Sequence, residues 1–166
     1  MINHRKNFTV LLDKIKAKKG VELGVAKGHY SKILNETYKF EEFYCVDKWN
    51  SPLHGDKQRN ITIEALKPYP WVKIIHSTFN DAIHQFPDEY FDFVYVDGSA
   101  HGGQENGETL RQWFPKVKKS GIFAGHDYYP RWKKTYDQVN LYIRDELRYE
   151  VYSTQEKIYP SWYIFK

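Results

Sequence analysis

The strongest constraint on what this chain can fold into is the regular alternation of strand-like and helix-like segments along it. Residues 5–17 carry apolar side chains at Phe8, Leu11, Leu12 and Ile15, a helical spacing, with Gly20 expected to stop that helix. Residues 21–25 read as a short buried strand and residues 28–38 as a helix. Residues 43–46 read as a strand ending at Asp47. Residues 57–66 are helical in pattern and are closed by Pro68 and Pro70. Further strands are expected at 72–76, 91–96 and 121–125, with helices at 80–85, 105–114 and 134–147 after them in turn. Two strands at 149–154 and 162–165 close the chain without a helix between them. An α-β-α-β order of this kind implies right-handed βαβ units, hence a parallel sheet covered by helices on both faces. The expected architecture is therefore a three-layer α/β/α sandwich. Its sheet has seven strands, mostly parallel, with an antiparallel C-terminal hairpin.

The chain of 166 residues is the size of one domain, so residues 1–166 are read as a single unit with a short N-terminal helix over residues 1–19. Its single cysteine, Cys45, excludes an internal disulfide and a cysteine-cluster zinc site. No apolar run approaches the roughly 18 residues of a spanning helix, and the opening segment MINHRKNF lacks a signal-peptide core, so no membrane role and a cytoplasmic location are expected. The net charge of +4 is modest and argues against nucleic acid as a partner. Basic residues gather at Arg131, Lys133 and Lys134, among other places. They are either solvated surface or an electropositive rim for an anionic substrate. Aromatic residues make up 17% of the chain, more than one small core takes up. The C-terminal set of Tyr149, Tyr152, Tyr159, Trp162, Tyr163 and Phe165 therefore leads to an expectation of a homo-oligomer.

In an open parallel sheet, ligands bind beyond the carboxyl ends of the strands. Chemistry-bearing residues collect at those ends here: Gly24, Asp47, Ser77, Asp97 and Asp127. The first strand runs through Glu22 and Leu23 into Gly24-Val25-Ala26-Lys27-Gly28, and a helix follows. Such a loop turns the chain tightly and offers free helix N–H groups to an anionic group. A complete dinucleotide loop needs G-x-G-x-x-G, and Ala26 stands where its middle glycine falls. Asp47 ends the second strand, where an acid accepts hydrogen bonds from ribose hydroxyls or caps a loop. Asp97-Gly98-Ser99-Ala100-His101 and Gly125-His126-Asp127-Tyr128 each place an acid at a strand end with a histidine beside or near it. Two carboxylates and one or two imidazoles in one crevice suit proton removal or a divalent cation held by oxygen ligands. The same groups also serve as loop caps.

These residues resemble the class I S-adenosylmethionine-dependent methyltransferases. E-L-G-x-x-x-G is similar to that family's first motif, and Asp47 matches its ribose-binding acid. F-D-F-V-Y-V-D-G…H, followed by W-F-P-K-V-K-K-S-G-I-F-A-G-H-D-Y, resembles a bacterial and phage branch of small-molecule and sugar O-methyltransferases. The resemblance spans roughly residues 20–166 and implies a Rossmann-like fold with S-adenosyl-L-methionine as cofactor. It implies cofactor contacts from Glu22, Gly24, Gly28, Ser31, Asp47, Ser77, Thr78, Phe79 and Asp97. The catalytic set it implies is Asp97, His101, His126 and Asp127, acting on a hydroxyl of a small-molecule acceptor. The spacing from Asp97 to His101 is one residue longer than the branch's D-G-x-H. His126-Asp127 replaces an Asp-Asp pair of metal-using relatives, so a divalent metal on Asp97 and Asp127 is the less favoured of two routes. Two rivals stand beside this reading: an RNA methyltransferase, and an NAD-dependent oxidoreductase on a related fold. The incomplete glycine loop and the terminal hairpin count against the second.

Overall fold

A computed structural model describes residues 2–52, 55–98 and 104–166. Among these residues seven strands form one sheet in the order β3-β2-β1-β4-β5-β7-β6. The strands are β1 (Lys19–Leu23), β2 (Glu42–Asp47), β3 (Val72–His76), β4 (Phe91–Val96), β5 (Val117–Gly125), β6 (Tyr152–Ser153) and β7 (Trp162–Phe165). The first five pair in parallel. β7 lies antiparallel between β5 and β6, so the terminal hairpin is present as the alternation predicts.

Among the described residues six α-helices cover the two faces: α1 (Phe8–Ile15), α2 (His29–Thr37), α3 (Asp56–Leu66), α4 (Phe79–Ala82), α5 (Glu108–Trp113) and α6 (Lys133–Val139). Strand alternation divides the apolar side chains into two cores. Val21, Leu23, Val94, Val96 and Phe123 face Ala82 of α4, Leu110 and Trp113 of α5, and Val139 of α6. Phe43, Cys45, Phe93, Tyr95 and Ile122 face Phe8, Leu11 and Leu12 of α1, Tyr30 and Leu34 of α2, and Leu66 of α3. Phe8 is the hub of the second core, with ring centroids 5.6–5.8 Å from Phe93, Tyr95 and Tyr163. Its full burial contributes roughly 1.5–3 kcal/mol. Trp162 and Tyr163 are buried within these cores, and Tyr152 stacks on Tyr163 at 5.4 Å. Tyr149, Tyr152 and Phe165 pack partly buried against the cores, and Tyr159 is exposed.

Element boundaries depart from the sequence pattern for local reasons. Helix α1 ends at Lys16, not Gly20: Lys16 adopts φ 54°, and the Ala17 N–H donates to Leu12 O at 3.0 Å, closing the helix in a left-handed cap. Gly20 instead lies inside β1, where a Cβ would meet the Phe40 and Phe43 rings at 2.9 Å. Asp92, which interrupts the apolar run of β4, accepts from the Lys18 and Lys19 N–H groups at 2.9 and 2.8 Å and so anchors the start of β1. The pairing of β4 with β5 slips between Phe91 and Phe93, and the two rings enter opposite cores. The single helix expected at residues 134–147 is α6 followed by a π-helical stretch, Asn140–Glu146.

Candidate active site

The parallel register brings the chemistry-bearing strand ends onto one edge of the sheet. The Ser77 N–H donates to Asp47 O (3.0 Å), and the Gly24 N–H to Val46 O (2.9 Å). The Asp97 N–H donates to Leu23 O (2.8 Å), and the His126 N–H to Val96 O (3.0 Å). Five successive strands, β3-β2-β1-β4-β5, are thus laced together at their carboxyl ends. Gly24 makes the closest approach. Its φ is +93°, and a Cβ there would lie 2.2 Å from the Gly98 Cα and 2.5 Å from the Asp97 carbonyl oxygen. No other residue fits. Gly98 in turn lies under the Phe79 ring, 2.4 Å from where its own Cβ would be.

Asp47 caps the loop, one of the two roles the sequence allows. Its Oδ2 accepts from the Val25 and Ala26 N–H groups, both at 2.9 Å, and its Oδ1 accepts from the Trp49 N–H at 3.1 Å. Trp49 Nε1 and Thr62 Oγ1 both donate to Ala26 O, at 2.8 and 2.9 Å. The glycine loop is therefore held in place by an acid, an indole and a hydroxyl. A carboxylate has about four acceptor directions. Three are engaged here among the described residues, and one on Oδ1 remains for a ligand hydroxyl. Helix α2 starts at Gly28, φ 75°, without a side-chain cap, so its first N–H groups are open to an anionic ligand group.

Glu22 and Ser31 act from beneath the loop. Glu22 is fully buried and accepts from the Ser31 hydroxyl, which also lies 3.1 Å from Cys45 Sγ. Burial, reinforced by the nearby Asp97 charge, pushes the Glu22 carboxyl up to about 8, so it is neutral at pH 7. Ser77 contributes its backbone bond to Asp47. The Thr78 hydroxyl caps α4, accepting from the Asp81 N–H at 3.1 Å and donating to Asp81 Oδ2 at 2.6 Å.

The expected catalytic cluster converges, with one member outside the described residues: His101. His126 Nδ1 lies 3.2 Å from Asp97 Oδ1 and 3.0 Å from Asp127 Oδ1. Burial opposes the imidazolium, but hydrogen bonds to Asp127 and Asp97 outweigh it and push His126 up to about 9. Asp127 holds φ 58°. Ala26 and Trp49 at the glycine loop hold φ 50° and 33°, and Tyr159 holds φ 57°. Left-handed non-glycine residues cost of order 1–3 kcal/mol each and gather at functional sites.

The sequence gives no sign of Arg5. It sits in a polar N-terminal segment with no motif, yet its Nη1 donates to Asp97 Oδ2 at 2.9 Å while its guanidinium lies 4.8 Å from the Tyr30 ring centroid. Its backbone is tied down by Glu156 Oε2, which accepts from the Arg5 N–H at 3.3 Å, and by the Tyr30 hydroxyl, which donates to Arg5 O at 3.1 Å. Burial works against the Arg5 charge, but Tyr95 and Asp97 outweigh it, so Arg5 stays protonated. Asp97 therefore lies between two cations of its own chain.

A family model described as a methyltransferase domain matches residues 21–128. A comparison with curated proteins gives no match. Among solved structures, the chain is similar to the O-methyltransferase from Bacillus cereus in complex with SAH (14% identity, TM-score 0.75, covering 98% of this chain and 80% of that one). It is similar to an SAH-bound methyltransferase from Podospora anserina (16% identity, TM-score 0.67, 96% and 76%). It is also similar to the precorrin-6y C5,15-methyltransferase from Geobacter metallireducens (14% identity, TM-score 0.67, 95% and 86%). At these identities the structures bear on the fold alone. The family model carries the assignment, because it spans about two thirds of the chain and contains the glycine loop, Asp47, Asp97 and the His126-Asp127 pair. The chain belongs to the family of methyltransferase domains.

Proposed function

We propose that this methyltransferase moves a methyl group from S-adenosylmethionine to a hydroxyl of a small molecule, with His126 as the proton acceptor. The carrying observation is the placement of the His126 imidazole between the Asp97 and Asp127 carboxylates, at the strand ends beside the Gly24 loop. The likeness to an O-methyltransferase solved with SAH supports the same reading.

The residues present fit the donor. The Gly24–Gly98 approach leaves the loop open where a Cβ would fill it, the uncapped N-terminus of α2 suits a carboxylate, and Asp47 Oδ1 retains one acceptor direction. S-adenosylmethionine supplies an electrophilic methyl group on a sulfonium, so the protein mainly has to align the acceptor oxygen and take up its proton. His126 donates from Nδ1 to the two carboxylates, which leaves Nε2 as the atom that accepts a proton. With the imidazole pushed up to about 9, only a small fraction is deprotonated at pH 7. Activity then grows with pH as His126 Nε2 becomes free to accept.

A divalent metal fits less well. Asp97 and Asp127 are both bonded to His126, and Asp97 also to Arg5, so the two carboxylates already bind cations belonging to the chain. No helix among the described residues is long and apolar enough to cross a membrane.

Calorimetry tests the donor assignment. Wild type is expected to bind S-adenosylmethionine in preference to NAD. Asp47→Asn removes a charged acceptor worth about 1.5–3 kcal/mol and should weaken binding roughly 10–100-fold. Preference for NAD, or unchanged binding in Asp47→Asn, refutes it.

A further inference from the structure

Beside His126, on the side away from the glycine loop, lies a surface that the proton chemistry does not use. Trp132 is 51% exposed and Tyr159 41% exposed, high values for side chains of that size. Their ring centroids are 5.9 Å apart at 35°, and Tyr159 is in turn 6.3 Å from the His126 ring. Tyr159 thus neighbours both the imidazole and Trp132, and the two outer rings are far more exposed than His126. The shelf is braced from behind. The Tyr128 N–H donates to Pro160 O at 2.8 Å, tying the loop after β5 to the loop before β7, and the Trp132 N–H donates to Tyr129 O at 2.8 Å. The Tyr128 ring packs on Tyr136 at 4.8 Å, and its hydroxyl donates to Asn140 Oδ1 at 2.8 Å. Tyr159 is held with φ 57°, a conformation an unconstrained tyrosine avoids.

Cationic residues surround Trp132 in the sequence. Arg131, Lys133 and Lys134 flank Trp132 in sequence and are all exposed. The first turn of α6 holds no acid to offset them, and among the described residues none of the three forms an ion pair. Position in the sheet decides what such a surface is for. The glycine loop and Asp47 follow β1 and β2, while His126 follows β5 and Tyr159 precedes β7, on the other side of β4. A donor held by the loop leaves the β5–β7 side free.

We propose that Trp132 and Tyr159 are the acceptor's binding shelf, and that the acceptor is a flat-faced hydroxylated ring carrying an anionic group. The ring lies on Tyr159 with a hydroxyl toward His126, and the carboxylate or phosphate points past Trp132 to Arg131, Lys133 and Lys134. Exposed aromatic faces stack equally on phenolic rings and on the C–H face of a sugar, and the cations select the charged members of either class. This inference rests on the O-methyltransferase reading for its choice of hydroxyl. The binding surface itself can be tested without turnover.

The test is fluorescence titration of the protein saturated with S-adenosylhomocysteine. The probes are 3,4-dihydroxybenzoate and glucuronate, with neutral catechol and methyl glucoside as their uncharged counterparts. Trp49, Trp113 and Trp162 are buried and the half-buried Trp71 lies just before β3, at the other end of the strands, so the ligand-dependent emission change should come from Trp132 and vanish in Trp132→Phe. Tyr159→Ala should weaken the charged probes roughly 3–10-fold. The Lys133→Ala/Lys134→Ala double variant should erase the preference for charged over neutral probes, as should high salt. Whichever charged probe binds more tightly marks the ring as phenolic or saccharide. The shelf is refuted if neither charged probe gives a saturable change in wild type at millimolar concentration. It is equally refuted if Trp132→Phe and Tyr159→Ala behave as wild type. Calorimetry with S-adenosylmethionine on the same variants separates the two claims. Intact donor binding with no probe binding overturns the shelf alone, and absent donor binding overturns the methyltransfer reading instead.

Discussion

Replacing His126 by asparagine tests the charge arrangement at the heart of the site. The imidazole's ordinary value near 6.5 is pushed up to about 9, because hydrogen bonds to Asp127 and Asp97 outweigh the burial that opposes them. A shift of this size corresponds to about 3 kcal/mol of folding stability. The folded state holds the proton more tightly than the unfolded chain, so this contribution is complete below pH 6.5 and disappears as pH rises through about 9. Urea unfolding of wild type and His126→Asn at pH 6 and at pH 9.5 reads it directly. At pH 6 the variant is expected to be less stable by about 3 kcal/mol or somewhat more, since Asp97 and Asp127 then lose their shared partner. At pH 9.5 that gap should shrink by about 3 kcal/mol. With His126 as the proposed base, wild-type kcat/KM should climb about tenfold per pH unit above pH 7 until the imidazole of the free enzyme is deprotonated. An equal stability gap at both pH values would show that the two carboxylates hold no imidazolium. A rate already level at pH 7 would remove His126 from the role of base.

Glu22→Gln keeps the shape of the buried side chain and removes its titration. Wild type loses stability as pH rises from 4.5 to about 8, because unfolding then releases a carboxyl that burial keeps protonated. In thermal melts the variant should match wild type at pH 5 and exceed it by up to about 4 kcal/mol at pH 8.5, and parallel curves would contradict the assigned burial effect. Gly24→Ala adds a Cβ 2.2 Å from the Gly98 backbone at φ +93°. It should cost about 3 kcal/mol or more and abolish donor binding, whereas a melting temperature within a degree of wild type would refute the tight approach. In wild type, the pH at which kcat levels off should lie below that for kcat/KM, since the first reports the donor-bound enzyme and the second the free one. Identical profiles would refute coupling between donor and imidazole.

The sheet was legible because strands buried on both faces write themselves as short apolar runs, and because proline and glycine punctuate the intervals. The strand-end acids were legible for the same reason, since βαβ connectivity alone places Gly24, Asp47, Asp97 and Asp127 on one edge. Boundaries were less so where a side chain overrode local preference. Lys16 ends α1 in a conformation that glycine favours, and Asp92 interrupts an apolar run to anchor β1. Arg5 and the Trp132–Tyr159 pair were not legible at all. Arg5 reaches Asp97 across 92 positions of sequence, and Tyr159 meets Trp132 only because β7 inserts between β5 and β6. Such contacts depend on tertiary closure and leave no periodic trace. The loop-holding role of Asp47 was hidden too. A strand-end acid that binds a ligand and one that holds a loop look alike until its hydrogen bonds are counted.

Charge balance links these parts. Near neutral pH Glu22 is protonated, and the charges of Arg5 and the His126 imidazolium offset those of Asp97 and Asp127. Among the described residues Asp47 forms no ion pair, and its carboxylate supplies a local field that favours a cationic sulfonium donor over an anionic ligand. Any such cation placed near His126 also repels the imidazolium. Two unit charges roughly 8 Å apart at an effective dielectric of about 20 interact by about 2 kcal/mol, which is about 1.5 pKa units. In the resting protein the proposed base is thus protonated and the carboxylates are paired, and a cation loaded into the site should bring the imidazole toward neutrality. Arg5 works in the same direction, since its charge lowers the His126 value. The raised imidazole of the free protein and the free base that methyl transfer needs are then two states of one arrangement, separated by the charge that the donor brings.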